Sequence, residues 1–371
     1  MGRVAGSILL MLWVRIGSLN GLMQKRPIGC WGGWLGGEVP SARSMGRVAA
    51  GMDVDDLRGL VHQHYERRRR NKSLHPVIDK IRPLIFDGHE STSSYLRCCG
   101  GCSRRRVTVA EGERIQYYHR YVMAMLLHGD GYLLLDIEPQ GPGEGESTAA
   151  IRLLKRLLTR YPRAFNAVVG DNLYLNPDFC RLAAERGKYF LAVLKDERRD
   201  LLVDARGLFE CESSVRFESD KKLYQCWDIE GFTTWEQFEY PVRVVRSIET
   251  ATVRRRLADE DAKTVSEWIW ATNIPQTAAG TKAIIHIGHA RWRIENNGFN
   301  ELVNEWNADH VYKHEPHAML VFLLLLLLAY NVFHAFISLN LKPQLRARHT
   351  PRHFARLVAA EFYIPAGDHF T

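Results

Sequence analysis

Two aspartates in this chain each follow a short apolar run, a position from which a carboxylate can take part in chemistry. Asp87 ends Leu-Ile-Phe-Asp-Gly, and Asp171 follows Val-Val-Gly. We predict that each run is a β-strand and that each aspartate lies at the strand end, where α/β sheets open into the crevice that holds their sites. The competing interpretation of a single such aspartate is a helix cap or a turn residue. Asp136, in Leu-Leu-Leu-Asp-Ile-Glu-Pro, shares the pattern and is a further candidate.

A third carboxylate lies on a predicted helix later in the chain. Residues 288–301 have the spacing of an amphipathic helix, with Arg291 and Glu295 four residues apart on one face. Trp292 and Phe299 lie on another face. A surface ion pair between Arg291 and Glu295 is the alternative interpretation, and such a pair contributes little to stability.

With the leucine-rich segment that follows it, this helix resembles the DDE transposases of bacterial insertion sequences. It is most similar to the group numbered four, whose signature is Tyr-x-x-Arg-x-x-x-Glu-x-x-x-x-x-x-Lys. Arg291 and Glu295 match the Arg and the Glu, whereas Gly288 and Leu302 stand at the Tyr and Lys positions. Asp87 and Asp171 match the family's two strand-end aspartates, and the resemblance extends over residues 80–335.

The resemblance implies a DNA transposase with a ribonuclease-H-like fold that acts on double-stranded DNA, both the element's terminal inverted repeats and the target, as a homodimer. It makes Asp87, Asp171 and Glu295 the catalytic and metal-binding residues. Chemistry supports this set, because two divalent ions about 4 Å apart can activate a nucleophile and stabilise a leaving oxygen. Mg²⁺, which Mn²⁺ can replace, prefers carboxylate oxygens. On this hypothesis Asp87 bridges two Mg²⁺ ions, Asp171 holds one, Glu295 holds the other, and Arg291 positions a phosphate.

Three other interpretations stay open. The same fold and site would serve a nuclease that cuts DNA without strand transfer. A catalytically inactive remnant would bind DNA and cut nothing. A membrane protein is suggested only by the apolar segment 318–333, with six consecutive leucines, which is shorter than the roughly 20 residues of a membrane span. We favour a buried helix there.

The elements that must position the carboxylates follow from the apolar pattern. Strands are expected at 82–86, 167–170 and 189–194, a hairpin at 121–127 and 132–135 with its turn at 128–131, and helices at 148–161 and 176–186. This alternation predicts an α/β fold with a mixed sheet, flanking helices and an inserted, mostly β subdomain. We divide the chain into a helical N-terminal region (1–78), the first part of the catalytic domain (79–204), the β-rich insertion (205–278), the C-terminal catalytic helices (279–340) and a tail (341–371).

Several side chains are candidates for DNA contact. The N-terminal region ends in a basic run that is either a solvated helix face or a phosphate-binding segment, with Arg67, Arg68, Arg69, Arg70 and Lys72. Around Glu295 the candidates are Arg291, Arg293, Asn296 and Asn300, with His289 as a further polar residue. Trp227 and Trp235 in the insertion are candidates for stacking on an unpaired base, against the alternative that they belong to a β core.

Two further groups of residues carry metal-ligand chemistry. Cys99 and Cys102 have the half-site spacing of a structural Zn²⁺, and the remaining ligands would come from Cys98, His89 or His119. Reduced thiols without metal are the alternative. An acidic Gly/Pro loop holds Glu138, Glu144 and Glu146 and is either a second metal-binding loop or, as we favour, a surface loop.

The amino-acid composition limits the classes of protein to which the chain can belong. The chain has 371 residues with 46% hydrophobic and 25% charged, a globular composition, and a net charge of +8 that suits a polyanionic partner. Its seven cysteines show no disulfide framework, which is typical of a reducing compartment. We therefore expect a cytoplasmic bacterial protein without a membrane partner.

Overall fold

The structure is a computed structural model that describes residues 2–25, 29–78, 80–110, 112–129, 131–195, 199–255 and 260–362. Ten strands form one sheet, in the order β2–β3–β1–β5–β6–β10–β9–β8–β7, and β4 pairs with β3 beside β2. The strands are β1 (Pro83–Ser94), β2 (Ser103–Val109), β3 (Gly112–His128), β4 (Gly131–Pro139), β5 (Ala167–Gly170), β6 (Tyr189–Val193), β7 (Val215–Ser219), β8 (Lys222–Phe232), β9 (Val242–Arg255) and β10 (Glu260–Thr272). Because β5 is parallel to β1 and β6 while the other pairs are antiparallel, the sheet is mixed, and the predicted α/β class is confirmed.

Helices cover both faces of this sheet. They are α1 (Gly2–Trp13), α2 (Leu19–Met23), α3 (Gly29–Leu35), α4 (Ala42–Ala49), α5 (Val54–Arg70), α6 (Glu146–Arg160), α7 (Pro177–Glu185), α8 (Asp200–Cys211), α9 (Thr281–Ala290), α10 (Asn300–Trp306), α11 (Pro316–Asn340), α12 (Pro343–Arg348) and α13 (Pro351–Glu361). A short 3₁₀ helix (Asn172–Tyr174) follows β5, and a π-helix (Ile294–Phe299) precedes α10. The last predicted segment, 341–371, is described only as far as residue 362.

Alternating side chains of β1 separate two hydrophobic cores. Leu84 and Phe86 pack with α6 and α7 on one face, whereas Ile85 packs with α9 and α11 on the other. Successive side chains of a strand point to opposite faces. By this alternation, Asp87 belongs to the face covered by α9 and α11, and Gly88 belongs to the face covered by α6.

The first predicted strand is longer than its apolar run. We expected it to end on Asp87, but β1 continues to Ser94 because β3 pairs with it from Leu84, opposite Leu126, to Ser94, opposite Tyr117. Asp87 therefore lies in mid-strand, not at a strand end. Asp171, in contrast, directly follows β5 as expected.

The β-rich segment 205–278 continues the main sheet. β10 pairs antiparallel with β6, and β9, β8 and β7 follow outward. A buried ion pair fastens this segment, since Arg243 lies 2.6 Å from Asp228 and also donates to the carbonyl oxygens of Ile274 and Ala279. These carbonyls directly precede α9, so the insertion is fixed to the start of the helical C-terminal part.

The leucine-rich helix α11 is a core element. It packs against α1, α5 and β4, and 61% of its most apolar window is buried, although among the described helices it alone has the length and apolarity to cross a membrane. Its buried Asn331 accepts a hydrogen bond from the Leu134 N–H (3.0 Å) and donates one to the Leu134 carbonyl (2.7 Å). This amide satisfies backbone groups of β4 that no neighbouring strand pairs.

Candidate active site

Asp87 and Asp171 stand side by side on neighbouring parallel strands. Pro83 of β1 pairs with Ala167 of β5, and each aspartate comes four residues later. They therefore lie at the same level of the sheet. Asp171 accepts a hydrogen bond from the Leu173 N–H at 2.8 Å, which caps the 3₁₀ helix and fixes the carboxylate at the strand end.

Glu295 lies on the π-helix, on the face of β1 to which Asp87 belongs. Such helices have a wider turn than α-helices and are frequent at functional sites. Gly298 lets the π-helix press against β3, because a Cβ there would lie 2.9 Å from Met125 Cε and 3.0 Å from Met123 Cε. Met123 is the residue that pairs with Asp87, so this close approach brings Glu295 to the first aspartate.

Arg291 links the two carboxylates. Its Nη1 lies 3.2 Å from Glu295 Oε1 and 3.8 Å from Asp87 Oδ2, and its guanidinium covers the ring of Trp292 at 4.4 Å. Arg291 is only 6% exposed. The predicted i,i+4 pair therefore exists, with a buried arginine and a glutamate whose side chain is 38% exposed.

A fourth carboxylate, that of Glu146, lies close to β1 on the face of the strand that α6 covers. Gly88 makes room for it, since a Cβ on Gly88 would lie 2.2 Å from Glu146 Oε2. The Gly88 N–H donates to Asp87 Oδ1 at 3.0 Å, so both carboxylates approach the same backbone position. The buried Tyr174 hydroxyl donates to Glu146 Oε1 at 2.9 Å, and Tyr174 itself packs over Gly170, where a Cβ would meet its ring at 2.4 Å.

Negatively charged side chains dominate the electrostatics of this site. Burial raises the pKa of Asp87 to about 7; the Arg291 charge opposes this shift, and Glu295, Asp171 and Glu146 add to it. Burial likewise raises the pKa of Glu146, together with the charge of Asp171, against the hydrogen bond from Tyr174. Carboxylates that influence one another electrostatically and offer only oxygen donors have the chemistry that a hard divalent cation prefers.

A profile of the family described as transposase DDE domain matches residues 101–332, more than half of the chain. The chain belongs to this family of transposases. No curated protein matches it. Asp171, Glu295 and Glu146 lie within the match, and Asp87 precedes it. Membership confirms the DDE transposase assignment, the enzyme class and the ribonuclease-H-like fold, while the narrower group numbered four stays a prediction.

Gly288 and Leu302 stand where the signature of the group numbered four has Tyr and Lys, and the structure of this transposase gives a reason for both. A Cβ on Gly288 would lie 2.4 Å from Trp270 Nε1, so Trp270 fills the space that a larger side chain would need. Leu302 is fully buried in the core, where a lysine could not reach DNA. His289 does not replace them, since its ring pairs with the buried Glu249.

The remaining polar candidates on the Glu295 segment differ in exposure. Asn296 and Asn300 are exposed and free to contact DNA. Arg293 is half-buried, and its Nη1 is buried without a hydrogen-bond partner among the described residues.

The basic run of α5 lies away from the carboxylates. It ends beside the β3–β4 turn, where the Gly129 N–H donates to the His75 carbonyl, roughly 20 Å along β3 from the level of Asp87. Arg68 does not fit a phosphate contact, because it is 5% exposed and its Nε donates to Ser73 Oγ. The exposed members of the run are Arg67, Arg69, Arg70 and Lys72, of which Arg69 pairs with Glu66 at 2.7 Å.

The tryptophan prediction is corrected in part. Trp235 is 8% exposed and packs on Phe238 (4.9 Å between ring centroids) and Phe190, so it belongs to the core and is unavailable for base stacking. Its polar sequence neighbours concealed this. Trp227 is half-buried, and the guanidinium of Arg246 lies 4.7 Å over its ring.

Sequence reasoning missed a cleft that reaches Glu146 beside the site. The cleft has a volume of 1040 Å³ and extends from the Cys99–Cys102 loop to Glu146, with Arg104, Tyr117 and Arg120 among its lining residues. The sequence feature that could have revealed this cleft is the run Ser-Arg-Arg-Arg on β2 together with Tyr-Tyr-His-Arg on β3. Of the acidic loop, only Glu146 faces the site, whereas Glu138 and Glu144 pair with Arg152. Asp136 is also buried in ion pairs, with Arg58 and Arg156.

Proposed function

We propose that this transposase cuts and joins DNA at the ends of its element with Asp87, Asp171 and Glu295 as the catalytic carboxylates. The observation that supports the proposal is geometric: Arg291 Nη1 lies 3.8 Å from Asp87 and 3.2 Å from Glu295, and Asp171 follows the strand that pairs with β1. The chemical environment fits, because Asp87 is held between the Arg291 charge and neighbouring carboxylates.

The donor set fits Mg²⁺, with Mn²⁺ as a substitute. When bound, two such ions would activate the attacking oxygen and stabilise the leaving oxygen of a phosphodiester. Asp87, Asp171 and Glu295 would hold them. Arg291 would keep Asp87 and Glu295 in place before metal arrives, because its guanidinium contacts both.

Glu146 adds a fourth carboxylate to the metal-binding group. The Tyr174 hydroxyl fixes its orientation, and it lies over Gly88, the residue that follows Asp87. Partial burial and the charge of Asp171 raise the pKa of Glu146, and a bound cation would offset the cost of its negative charge. We therefore assign Glu146 to metal binding and not to a surface loop.

Double-stranded DNA would approach through this cleft, along the side that carries its two arginines. Arg104 and Arg120 line it together with the rings of Tyr117 and Tyr118, and guanidinium groups favour phosphate contacts. Asn296, Asn300 and the exposed arginines of α5 would contact DNA further out, and Trp227 stays a candidate for base stacking. We expect terminal inverted repeats and target DNA as substrates, a homodimer on DNA, and a cytoplasmic location.

Strand cleavage tests this function directly. DNA carrying the element's ends is incubated with the protein and Mg²⁺ or Mn²⁺, and wild type is compared with Glu295→Gln. The matched control is Glu305→Gln, a nearby glutamate whose carboxylate pairs with Arg352 at the surface. We expect metal-dependent cuts and joined products that Glu295→Gln abolishes and Glu305→Gln retains.

The other outcomes separate the remaining hypotheses. Cuts without joined products would identify a nuclease. Binding of the ends without any cut by wild type would identify an inactive remnant, and equal cutting by Glu295→Gln and wild type would remove Glu295 from the site.

A further inference from the structure

Four metal-ligating side chains from three separate parts of the chain meet outside the carboxylate site. Cys99 and Cys102 lie in the loop between β1 and β2, His119 lies on β3, and His314 lies in the segment between α10 and α11. One ligand atom from each of the four lies within 4.8 Å of all the others, and all four residues are half-buried.

Five of the six distances between these atoms are close to the edges of one tetrahedron, and the sixth, from Cys99 to His314, is within 4.8 Å. Zn–S bonds of about 2.3 Å and Zn–N bonds of about 2.05 Å imply edges of about 3.8 Å for S–S, 3.6 Å for S–N and 3.3 Å for N–N. The structure has 3.7 Å between the two Sγ atoms and 3.3 Å between the two Nε2 atoms. The sulfur–nitrogen distances are 3.4 Å (Cys99–His119), 3.2 Å (Cys102–His119) and 3.4 Å (Cys102–His314).

The backbone of the cysteine loop is shaped for such a site. Its turn is closed by a hydrogen bond from the Cys102 N–H to the Cys99 carbonyl (3.1 Å), and the Cys99 N–H points to Cys102 Sγ (3.3 Å). An N–H directed at sulfur stabilises a thiolate. Gly101 allows the loop to touch the start of α11, because a Cβ there would lie 2.8 Å from Pro316 Cγ.

The structure also decides between the ligands that the sequence left open. Cys98 is exposed. His89 faces away from the thiols, since it pairs with Asp309 at 3.0 Å and stacks on Phe299. His119 is the expected ligand that does take part, and His314 is a fourth that the sequence did not suggest.

We propose that Cys99, Cys102, His119 and His314 bind one structural Zn²⁺ that clamps the cysteine loop to the segment leading into α11. Two thiolates and two imidazoles in a tetrahedron are a closed set typical of structural zinc. Loop residues Cys99 and Cys102 also line the cleft that reaches Glu146. The ion would therefore hold one wall of that cleft in place while contributing nothing to the chemistry at Asp87.

Metal content is the first measurement. The full-length protein, purified under reducing conditions without added metal, is expected to contain about one equivalent of zinc per chain. Replacement of zinc by Co²⁺ gives a visible spectrum with tetrahedral ligand-field bands and a sulfur-to-cobalt charge-transfer band. Metal-free protein with an unchanged fold, or Co²⁺ bound without charge-transfer intensity, would overturn the proposal.

Two substitutions keep the test independent of folding failure. His314→Cys retains four ligands with three thiolates, so we expect bound metal and a charge-transfer band about 1.5 times as intense as in wild type. Cys98→Ser is the matched control, because Cys98 is adjacent yet outside the cluster, and its spectrum should equal that of wild type. An unchanged charge-transfer band in His314→Cys, or a loss of metal in Cys98→Ser, would assign the ion to other ligands.

A redox pair is the competing outcome for the two thiols. Thiol titration of the zinc-loaded, unreduced protein should find both cysteines protected, and both should become reactive once a chelator removes the metal. A disulfide between Cys99 and Cys102 in the protein as isolated from the cytoplasm, with no bound metal, would refute the zinc site.

Discussion

Replacing Gly88 by alanine is the sharpest perturbation of the carboxylate cluster. The added methyl group would lie 2.2 Å from Glu146 Oε2 and 2.4 Å from its Cδ, whereas an ordinary contact needs 3.4 Å or more. The carboxylate must therefore retreat by about 1 Å, which is half the length of an Mg–O bond of about 2.1 Å. Because the clash is with the flexible end of a side chain, we expect a loss in the free energy of unfolding of only about 1 kcal/mol.

The effect on activity should be larger than the effect on stability. Displacing Glu146 should lower the cleavage rate at limiting Mg²⁺ by roughly 10- to 100-fold, the usual cost of disturbing a metal-site partner. Single-turnover cleavage measured across Mg²⁺ concentrations would show this as a higher concentration for half-maximal rate. Gly145→Ala is the matched control, since a Cβ on Gly145 meets nothing within 4 Å and its φ of −75° suits alanine.

A double-mutant cycle decides whether the loss acts through Glu146. If it does, Glu146→Gln alone should lower the rate similarly, and Gly88→Ala combined with Glu146→Gln should be no slower than the slower single variant. Multiplied losses in the double variant would mean that Gly88 acts by another route. Wild-type cleavage by Gly88→Ala would refute the assignment of Glu146 to metal binding.

The burial of Asp87, Leu302 and Asn331 leads to three further predictions. The folded-state pKa of Asp87 is raised from 3.8 to about 7, so its contribution to stability is complete below about pH 4 and is lost as pH rises through 7. Chemical denaturation of metal-free protein should therefore show the unfolding free energy falling by up to about 4 kcal/mol over this range. Added Mg²⁺ should offset this decline, and Asp87→Asn should remove it. Leu302→Lys, which restores the family residue at a fully buried position, should destabilise the protein by several kcal/mol in urea denaturation and leave DNA affinity no higher; tighter end binding would contradict this. Asn331→Leu leaves the Leu134 N–H and carbonyl unsatisfied and should lower the unfolding free energy by about 2–4 kcal/mol in the same assay, whereas an unchanged midpoint would show that water replaces the amide.

Local patterns predicted the elements that flank the site. The apolar spacing of α6, the run of β5 and the turn between β3 and β4 are all visible in short windows of sequence. The extension of β1 beyond Asp87 is not, because residues 88–94 are polar or glycine. They are extended because the long strand β3 pairs with them.

Long-range packing determined the parts of the site that the sequence concealed. Glu146 seemed part of a loop, and only the placement of α6 over Gly88 directs it to Asp87. His314 is distant from Cys99 and Cys102 in sequence, and no spacing rule connects it to them. The polar neighbours of Trp235 suggested exposure, yet α7 and β6 place it in the core with Phe190.

The pairing of Asn331 with β4 has a consequence for the order in which the protein is made. The strands β1 to β4 are complete at Pro139, but the helix that covers their apolar face begins only at Pro316, which is on the order of ten seconds or more of synthesis later. During that interval Leu134 presents an open strand edge, and Met123 and Met125 lie uncovered beside it. The leucine run therefore covers this apolar face late in synthesis, and we expect a chain that stops short of it to aggregate rather than to compete for DNA.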